Sequence, residues 1–154
     1  ASEAGVPVVL DPAPAAPLGA ELLANVTYLT PNESEATRLT GIEVTDETTA
    51  RAAAEKLLAA GVDNVIVTMG TQGALVANAD GSFVVPSHAV EAVDSTAAGD
   101  AFNGGLAFAL ARGLALEDAV REAALVGALS VTKMGAQPSL PTADELEQFK
   151  KTVS

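Results

Sequence analysis

Val93-Asp94-Ser95-Thr96-Ala97-Ala98-Gly99-Asp100-Ala101-Phe102 decides how the rest of the chain is read. Small residues run up to Asp100, and from there the composition is helical to about Arg112. Small side chains let a backbone approach a ligand closely, and the free N–H groups at a helix N-terminus form an anion site by construction. A carboxylate at the same end is stabilised by the helix dipole. Asp100 as a general base, with N–H donors beside it for a phosphoryl group in transit, is therefore one reading. The other is that Asp100 simply caps the helix, the commoner task for an aspartate, with the alanines as filler. On these residues alone both stand.

Working outward, the remaining segments alternate between strand and helix. Val6-Pro-Val-Val-Leu10 is a short β-branched run closed by the turn-forming Asp11-Pro-Ala-Pro14, and predicts a buried strand. Leu18 to Ala24 is helical in composition, and Tyr28-Leu29-Thr30 predicts a brief strand before Pro31. Asn32 opens a helix from Glu33 to Leu39 that Gly41 ends. Thr45-Asp46-Glu47 caps a helix propagated by Ala50 to Ala60 and stopped at Gly61. Val65-Ile66-Val67-Thr68 predicts a buried strand, and 74–78 with 83–85 a hairpin around Asp80-Gly81. Further helices are expected from Leu116 to about Thr132 and from Thr142 to about Lys151. This alternation predicts one α/β domain over 1–154, three-layered and Rossmann-like with a mostly parallel sheet.

Composition narrows the chemistry. The 154 residues include no cysteine and one histidine, His88, so thiolate sites and His-based relays are excluded. The net charge is −12, and the eight basic residues are scattered, with Lys150-Lys151 the only adjacent pair. Nucleic acid and anionic membranes are not expected partners, and any phosphate must be held by backbone N–H groups, a helix end or a metal. No apolar run approaches the roughly 18 residues that span a bilayer, and the first five residues lack a secretory layout, which predicts a soluble cytoplasmic protein. Hydrophobic residues make up 49 % although aromatics are only 3 %, and mean hydropathy is +0.31. Ala, Val and Leu carry that excess, as in elements buried on both sides.

Four motifs in register carry a resemblance. Asp94-Ser-Thr-Ala-Ala-Gly-Asp100-Ala-Phe resembles the C-terminal signature of the ribokinase (PfkB) family of sugar and nucleoside kinases. Asn32-Glu-Ser-Glu35 is similar to the family's Asn-x-x-Glu motif, and Thr68-Met-Gly-Thr-Gln-Gly73 to its nucleotide loop. Gly135-Ala-Gln-Pro-Ser139 resembles a loop of its ribokinase branch, and Asp11-Pro-Ala-Pro-Ala15 is similar to a further ribokinase motif. The likeness runs from about Val8 to the end.

The resemblance implies roles for particular residues. Asp100 would take the proton of a sugar hydroxyl, with the N–H groups of Ala98, Gly99 and Asp100 as the anion hole for the phosphoryl group. Asn32 and Glu35 would act around the phosphates of ATP and Mg2+, partly through water. Thr68, Gly70, Thr71 and Gly73 would line the nucleotide; without the resemblance their glycines read equally as a tight turn. Ala124 would lie against the adenine. Asp94, Thr96, Ser130, Lys133, Gly135 and Ser139 match a monovalent-cation loop for K+, in which Lys133 could offer only its carbonyl.

Ribokinases are about twice this length, and their first half supplies most sugar contacts, further strands and a lid. The resemblance therefore implies a C-terminal half that binds nucleotide and phosphorylates sugar, ribose by preference, only when the first half is supplied. An unpaired sheet edge would favour a homodimer. The alternatives are a non-enzymatic, self-associating α/β domain and a piece of a full kinase chain.

Overall fold

The computed structural model describes residues 1–153, which form two compact units, Ala1–Val84 and the residues from Val85 onward. The first unit holds β1 (Val9–Leu10), α1 (Ala20–Leu23), β2 (Tyr28–Leu29), α2 (Glu33–Thr40), α3 (Glu47–Ala59), β3 (Asn64–Thr68), β4 (Ala74–Asn78) and all but the last residue of β5 (Gly81–Val85). The strands make one five-stranded sheet in the order β1-β2-β3-β4-β5. β1 to β3 run parallel, with Val9 beside Tyr28 and Leu29 beside Val65, and β4 returns antiparallel to β3. The expected α/β architecture is thus built on a mixed sheet, because the turn after Thr68 is too short for a crossover and forces β4 back.

The sheet forms where apolar runs can be buried. Val65, Ile66 and Val67 are fully buried, so β3 is covered on both faces. Each such side chain contributes about 1.5–3 kcal/mol relative to leaving it in water, which makes β3 the spine of the unit. The α3 face that meets the sheet is made of Ala50, Ala53, Ala54 and Leu57, all buried and at helical spacing. Both α2 and α3 begin with reciprocal caps: Asn32 with Glu35, and Asp46 with Thr49. The run Val6–Leu10 gives a ladder only at Val9–Leu10. Pro7 has no N–H to offer, and the Val8 N–H donates to Thr27 Oγ1 rather than to a strand carbonyl.

The second unit holds α4 (Ala98–Ala111), α5 (Leu116–Ser130) and α6 (Ala143–Val153). Its helices pack through small residues. A Cβ on Gly105 of α4 would stand 2.9 Å from Val126 Cγ2 and 3.2 Å from Ala123 Cα of α5, so the bare glycine is what lets α4 and α5 approach. Ala101, Val126 and Leu146 join α4, α5 and α6 in one apolar cluster. Beside it the buried Glu122 pairs with Arg112 at 2.9 Å and Lys150 at 3.0 Å. No helix among the described residues is long and apolar enough to cross a membrane.

Candidate functional site

In the first unit the parallel strands bring two sequence motifs together at their C-terminal ends. The Thr68 N–H donates to the Pro31 carbonyl at 3.0 Å, and Thr68 pairs with Asn32 as an isolated parallel bridge beyond β2. Asn32, Glu35 and Thr68 are therefore gathered at one sheet end, the place where open α/β sheets bind ligands. Glu35 Oε2 accepts from the Asn32 N–H at 2.8 Å while Asn32 Oδ1 accepts from the Glu35 N–H at 2.9 Å. The motif read as a ligand set is thus also a capping box, which fixes both side chains. After Thr68 the chain makes a 3-10 turn over Gly70–Gln72 that is closed by a bond from the Met69 N–H to the Gly73 carbonyl at 2.7 Å. Gly70 at φ 51° and Gly73 at φ 92° take conformations that a side chain would strain. Gly70 and Thr71 are exposed at the turn.

Glu35 is the one carboxylate of this set. That fits a Mg2+ ion held mainly by phosphates and water rather than by a protein cage, and no group of three or more His, Cys, Asp or Glu converges among the described residues. A cleft of this unit lies elsewhere. It measures about 470 Å³, is lined by Ala15, Leu18, Arg38, Lys56 and Leu57 among others, and contains none of the nominated residues.

In the second unit α4 starts two residues earlier than the composition suggests. Its N-cap is Ala97, in the left-handed region at φ 61°, ψ 15°, and no side chain caps the helix. Asp100 therefore sits in the third helical position and does not perform the capping role that competed with a catalytic one. The Ala98 N–H already donates to the Ser95 carbonyl at 3.2 Å, and the first intrahelical bond runs from the Ala101 N–H to the Ala97 carbonyl at 2.9 Å. The N–H groups of Gly99 and Asp100 fall between these, where a helix offers no acceptor four residues back. Gly99 and Asp100 are exposed. A non-glycine residue in the left-handed region costs about 1–2 kcal/mol and recurs at functional turns.

Five of the six residues nominated for a monovalent cation are joined by hydrogen bonds, as a trio around Asp94 and a pair. Asp94 Oδ1 accepts from the Thr96 N–H at 2.9 Å and Asp94 Oδ2 from the Gly135 N–H at 2.8 Å. Hydrogen bonds from Thr96 and Gly135 hold its carboxyl below the usual aspartate range. The Val93 N–H donates to the Val131 carbonyl at 2.8 Å, which ties the same two segments. Ser130 accepts through its carbonyl from the Lys133 N–H at 3.1 Å. Ser130 and Ser139 are both fully buried, with hydroxyls donating to the carbonyls of Gly127 and Ala136. The donor set is oxygen throughout, and a carboxylate that accepts one N–H per oxygen keeps further lone pairs, so the residues fit a hard monovalent ion. Ala124 is half-buried on α5, a small apolar position.

Sequence reasoning missed two participants. Ala97 gives no signal, since a residue needing φ > 0 is expected to be glycine. Glu145 pairs with Lys133 and also accepts from the Thr142 N–H at 2.8 Å, so one carboxylate serves the cap of α6 and holds the loop between α5 and α6. The Thr142-x-x-Glu145 spacing would have shown the cap but not the ion pair.

Known proteins of similar sequence and shape agree with one another. The chain is 44 % identical over 149 residues to the ribokinase of Haemophilus influenzae, covering 97 % of this chain and 49 % of that protein. It superposes on the ribokinase of Thermotoga maritima with TM-score 0.86 at 43 % identity, over 94 % of this chain and 49 % of that one. For the Arabidopsis thaliana ribokinase complexed with ribose and ATP the TM-score is 0.91 at 33 % identity, over 97 % and 49 %. The chain spans about half the length of the curated relatives it matches. Residues 1–143 match the family of pfkB family carbohydrate kinases, and the chain belongs to that family.

Proposed function

We propose that the chain carries the nucleotide-binding and phosphoryl-transfer elements of an ATP-dependent ribokinase-type sugar kinase. The observation that carries this reading is the first turn of α4: a helix start with no side-chain cap, a left-handed residue before it, and Gly99 and Asp100 exposed within it. Asp100 takes the proton of the acceptor hydroxyl as that oxygen bonds to the γ-phosphorus and the bond to the β,γ-bridging oxygen breaks, releasing ADP. The N–H groups of Gly99 and Asp100 stabilise charge on the transferred group, with Ala98 contributing backbone position, since its own N–H is engaged. Asn32, Glu35, Thr68, Gly70, Thr71, Gly73 and Ala124 serve the nucleotide and its Mg2+, which shields phosphate charge. Asp94, Thr96, Ser130, Lys133, Gly135 and Ser139 serve K+. Ribose, bound together with ATP by the Arabidopsis relative, is the preferred acceptor.

Residues 1–154 as a polypeptide hold Mg-ATP, and efficient turnover of ribose needs the part of the relatives' length that these residues do not match. Calorimetry with Mg-ATP in potassium buffer tests this. Gly99→Val keeps the N–H but sets a branched side chain beside it, and is expected to weaken binding about tenfold, the equivalent of one charge-assisted hydrogen bond. Asp100→Ala is expected to leave binding within about threefold. Absence of binding by the unaltered chain would overturn the proposal, as would ribose-dependent ATP turnover that Asp100→Ala leaves untouched.

A second reading rests on β1, which stands at one end of the strand order with no partner on its outer side among the described residues. A second copy pairing there gives a homodimer through the sheet edge, and the non-enzymatic alternative is that such self-association is the chain's whole role. Light scattering over a wide concentration range checks it; a constant monomer mass rejects the dimer.

A further inference from the structure

We infer that Glu145 is a positioning residue for the cation loop: through Lys133 it ties the loop between α5 and α6 to the first turn of α6, and so sets the affinity of that loop for a monovalent cation. The inference rests on the cation-loop assignment proposed above. Lys133 is held at both ends, its N–H on the Ser130 carbonyl at 3.1 Å and its ammonium on Glu145 Oε1. The carboxylate is itself anchored, because Oε2 accepts from the Thr142 N–H at 2.8 Å and from Thr142 Oγ1 at 3.1 Å. Two residues on, the Gly135 N–H is pinned to Asp94. The short segment carrying the carbonyls of Lys133 and Gly135 is therefore bracketed by two separate carboxylates, one per side.

That bracketing matters because a loop carbonyl that must rotate into place lowers the affinity of the ion it coordinates by the cost of ordering it. Lys133 cannot act through its own charge, since an ammonium repels a cation. Its pairing with Glu145 removes that charge from the loop as well as fixing the backbone. A salt bridge at a half-exposed site adds little to global stability, so its effect is expected in ion affinity rather than in folding.

The test uses residues 1–154, with thermal unfolding and Mg-ATP calorimetry as readouts, titrating K+ against tetramethylammonium at constant ionic strength. In the unaltered chain K+ is expected to raise the melting temperature and tighten Mg-ATP. Lys133→Met keeps the α6 cap but loses the ion pair, and is expected to raise the half-effective K+ concentration about five-fold or more, with Mg-ATP affinity recovering at saturating K+. Lys133→Arg should restore the original midpoint. Glu147→Gln, which loses the Lys150 pair on the same helix, should leave the midpoint unchanged. A Lys133→Met midpoint equal to that of the unaltered chain would overturn the inference while leaving the cation loop standing. An unaltered chain that binds Mg-ATP but responds alike to K+ and tetramethylammonium would overturn both the loop assignment and the inference. No binding of Mg-ATP would instead count against the nucleotide reading.

Discussion

Asp94 Oδ2 accepts the Gly135 N–H at 2.8 Å across 41 residues of sequence, joining the segment before α4 to the loop after α5. The same carboxylate takes the Thr96 N–H through its other oxygen. One ionised side chain thus holds both the approach to the helix that carries Asp100 and the loop proposed to carry the cation ligands. Asp94→Asn keeps the shape but replaces one acceptor oxygen with a donor, leaving either the Thr96 or the Gly135 N–H unpaired. A lower melting temperature and a weaker K+ response are expected together. A variant with a lower melting temperature and an unaltered K+ midpoint would limit Asp94 to the fold.

The acid side of the stability profile follows from the same group of carboxylates. Hydrogen bonding from Lys133, aided by Thr142, lowers Glu145 from its ordinary 4.5 to about 2, and Asp94, Asp46 and Glu147 are also lowered. A carboxyl with a folded-state pKa below its unfolded value contributes stability that is fully present above the unfolded value and is lost as pH falls through the folded one. Stability should therefore be flat above about pH 5 and fall between the ordinary carboxylate range and about pH 2. Glu145→Gln should shallow that fall only slightly when urea midpoints are compared at pH 6 and pH 3, because solvent screens a half-exposed ion pair. An equal slope in the variant would show that Glu145 is not among its sources.

The close approach of α4 and α5 gives a paired substitution. Gly105→Ala places a methyl 2.9 Å from Val126 Cγ2 and 3.2 Å from Ala123 Cα, and the second of these is backbone. Overpacking costs about 1–3 kcal/mol, which exceeds the gain of up to about 1 kcal/mol from replacing a helical glycine. Gly104, one residue earlier, faces open space, so Gly104→Ala should stabilise by about 0.5–1 kcal/mol. Urea denaturation of the two variants should give shifts of opposite sign, and shifts of one sign would remove the packing explanation.

Much of this fold was legible because it follows periodicity and punctuation. The helix of Glu33–Thr40 with Gly41 at φ 73°, the hairpin of β4 and β5, and the buried β3 all lie where their residues predict them. The start of α4 was not, since it depends on Ala97 adopting φ 61°, which only surrounding structure imposes on an alanine. The strand at Val6–Leu10 was overdrawn because an apolar run does not reveal that Pro7 withholds a donor. Of the candidate site, the motif residues were legible one by one. Their partners were not: Asn32 beside Thr68 is a consequence of strand register, and Lys133 on Glu145 of where α6 returns.

Glu122 tests how α6 is held. Its buried carboxylate is shared by Arg112 and Lys150, and the neighbouring Glu147 and Glu122 raise the Lys150 pKa. Glu122→Ala removes the acceptor of both cations and opens a small void between α5 and α6. Both cations retain some water contact, so the expected loss is about 1–3 kcal/mol rather than the larger cost of stranding a buried charge. Hydrogen exchange should show the loss concentrated in α6. Uniform loss across α4 and α5 would mean that Glu122 does not act as its tether.

The capping box at Asn32 separates structural from ligand roles in the first unit. Asn32→Ala deletes the acceptor for the Glu35 N–H and should cost about 1 kcal/mol of stability. Glu35→Gln behaves differently, because glutamine at the third helical position also closes a capping box while carrying no charge. If Glu35 serves only the cap, that variant keeps both its melting temperature and its Mg-ATP affinity. If it also serves the magnesium phosphate group, the melting temperature holds while Mg-ATP binding weakens and more Mg2+ is needed for half-saturation. Calorimetry at several Mg2+ concentrations distinguishes them, and the second outcome is expected because Asn32 is bridged to Thr68 at the sheet end where the proposed nucleotide turn begins.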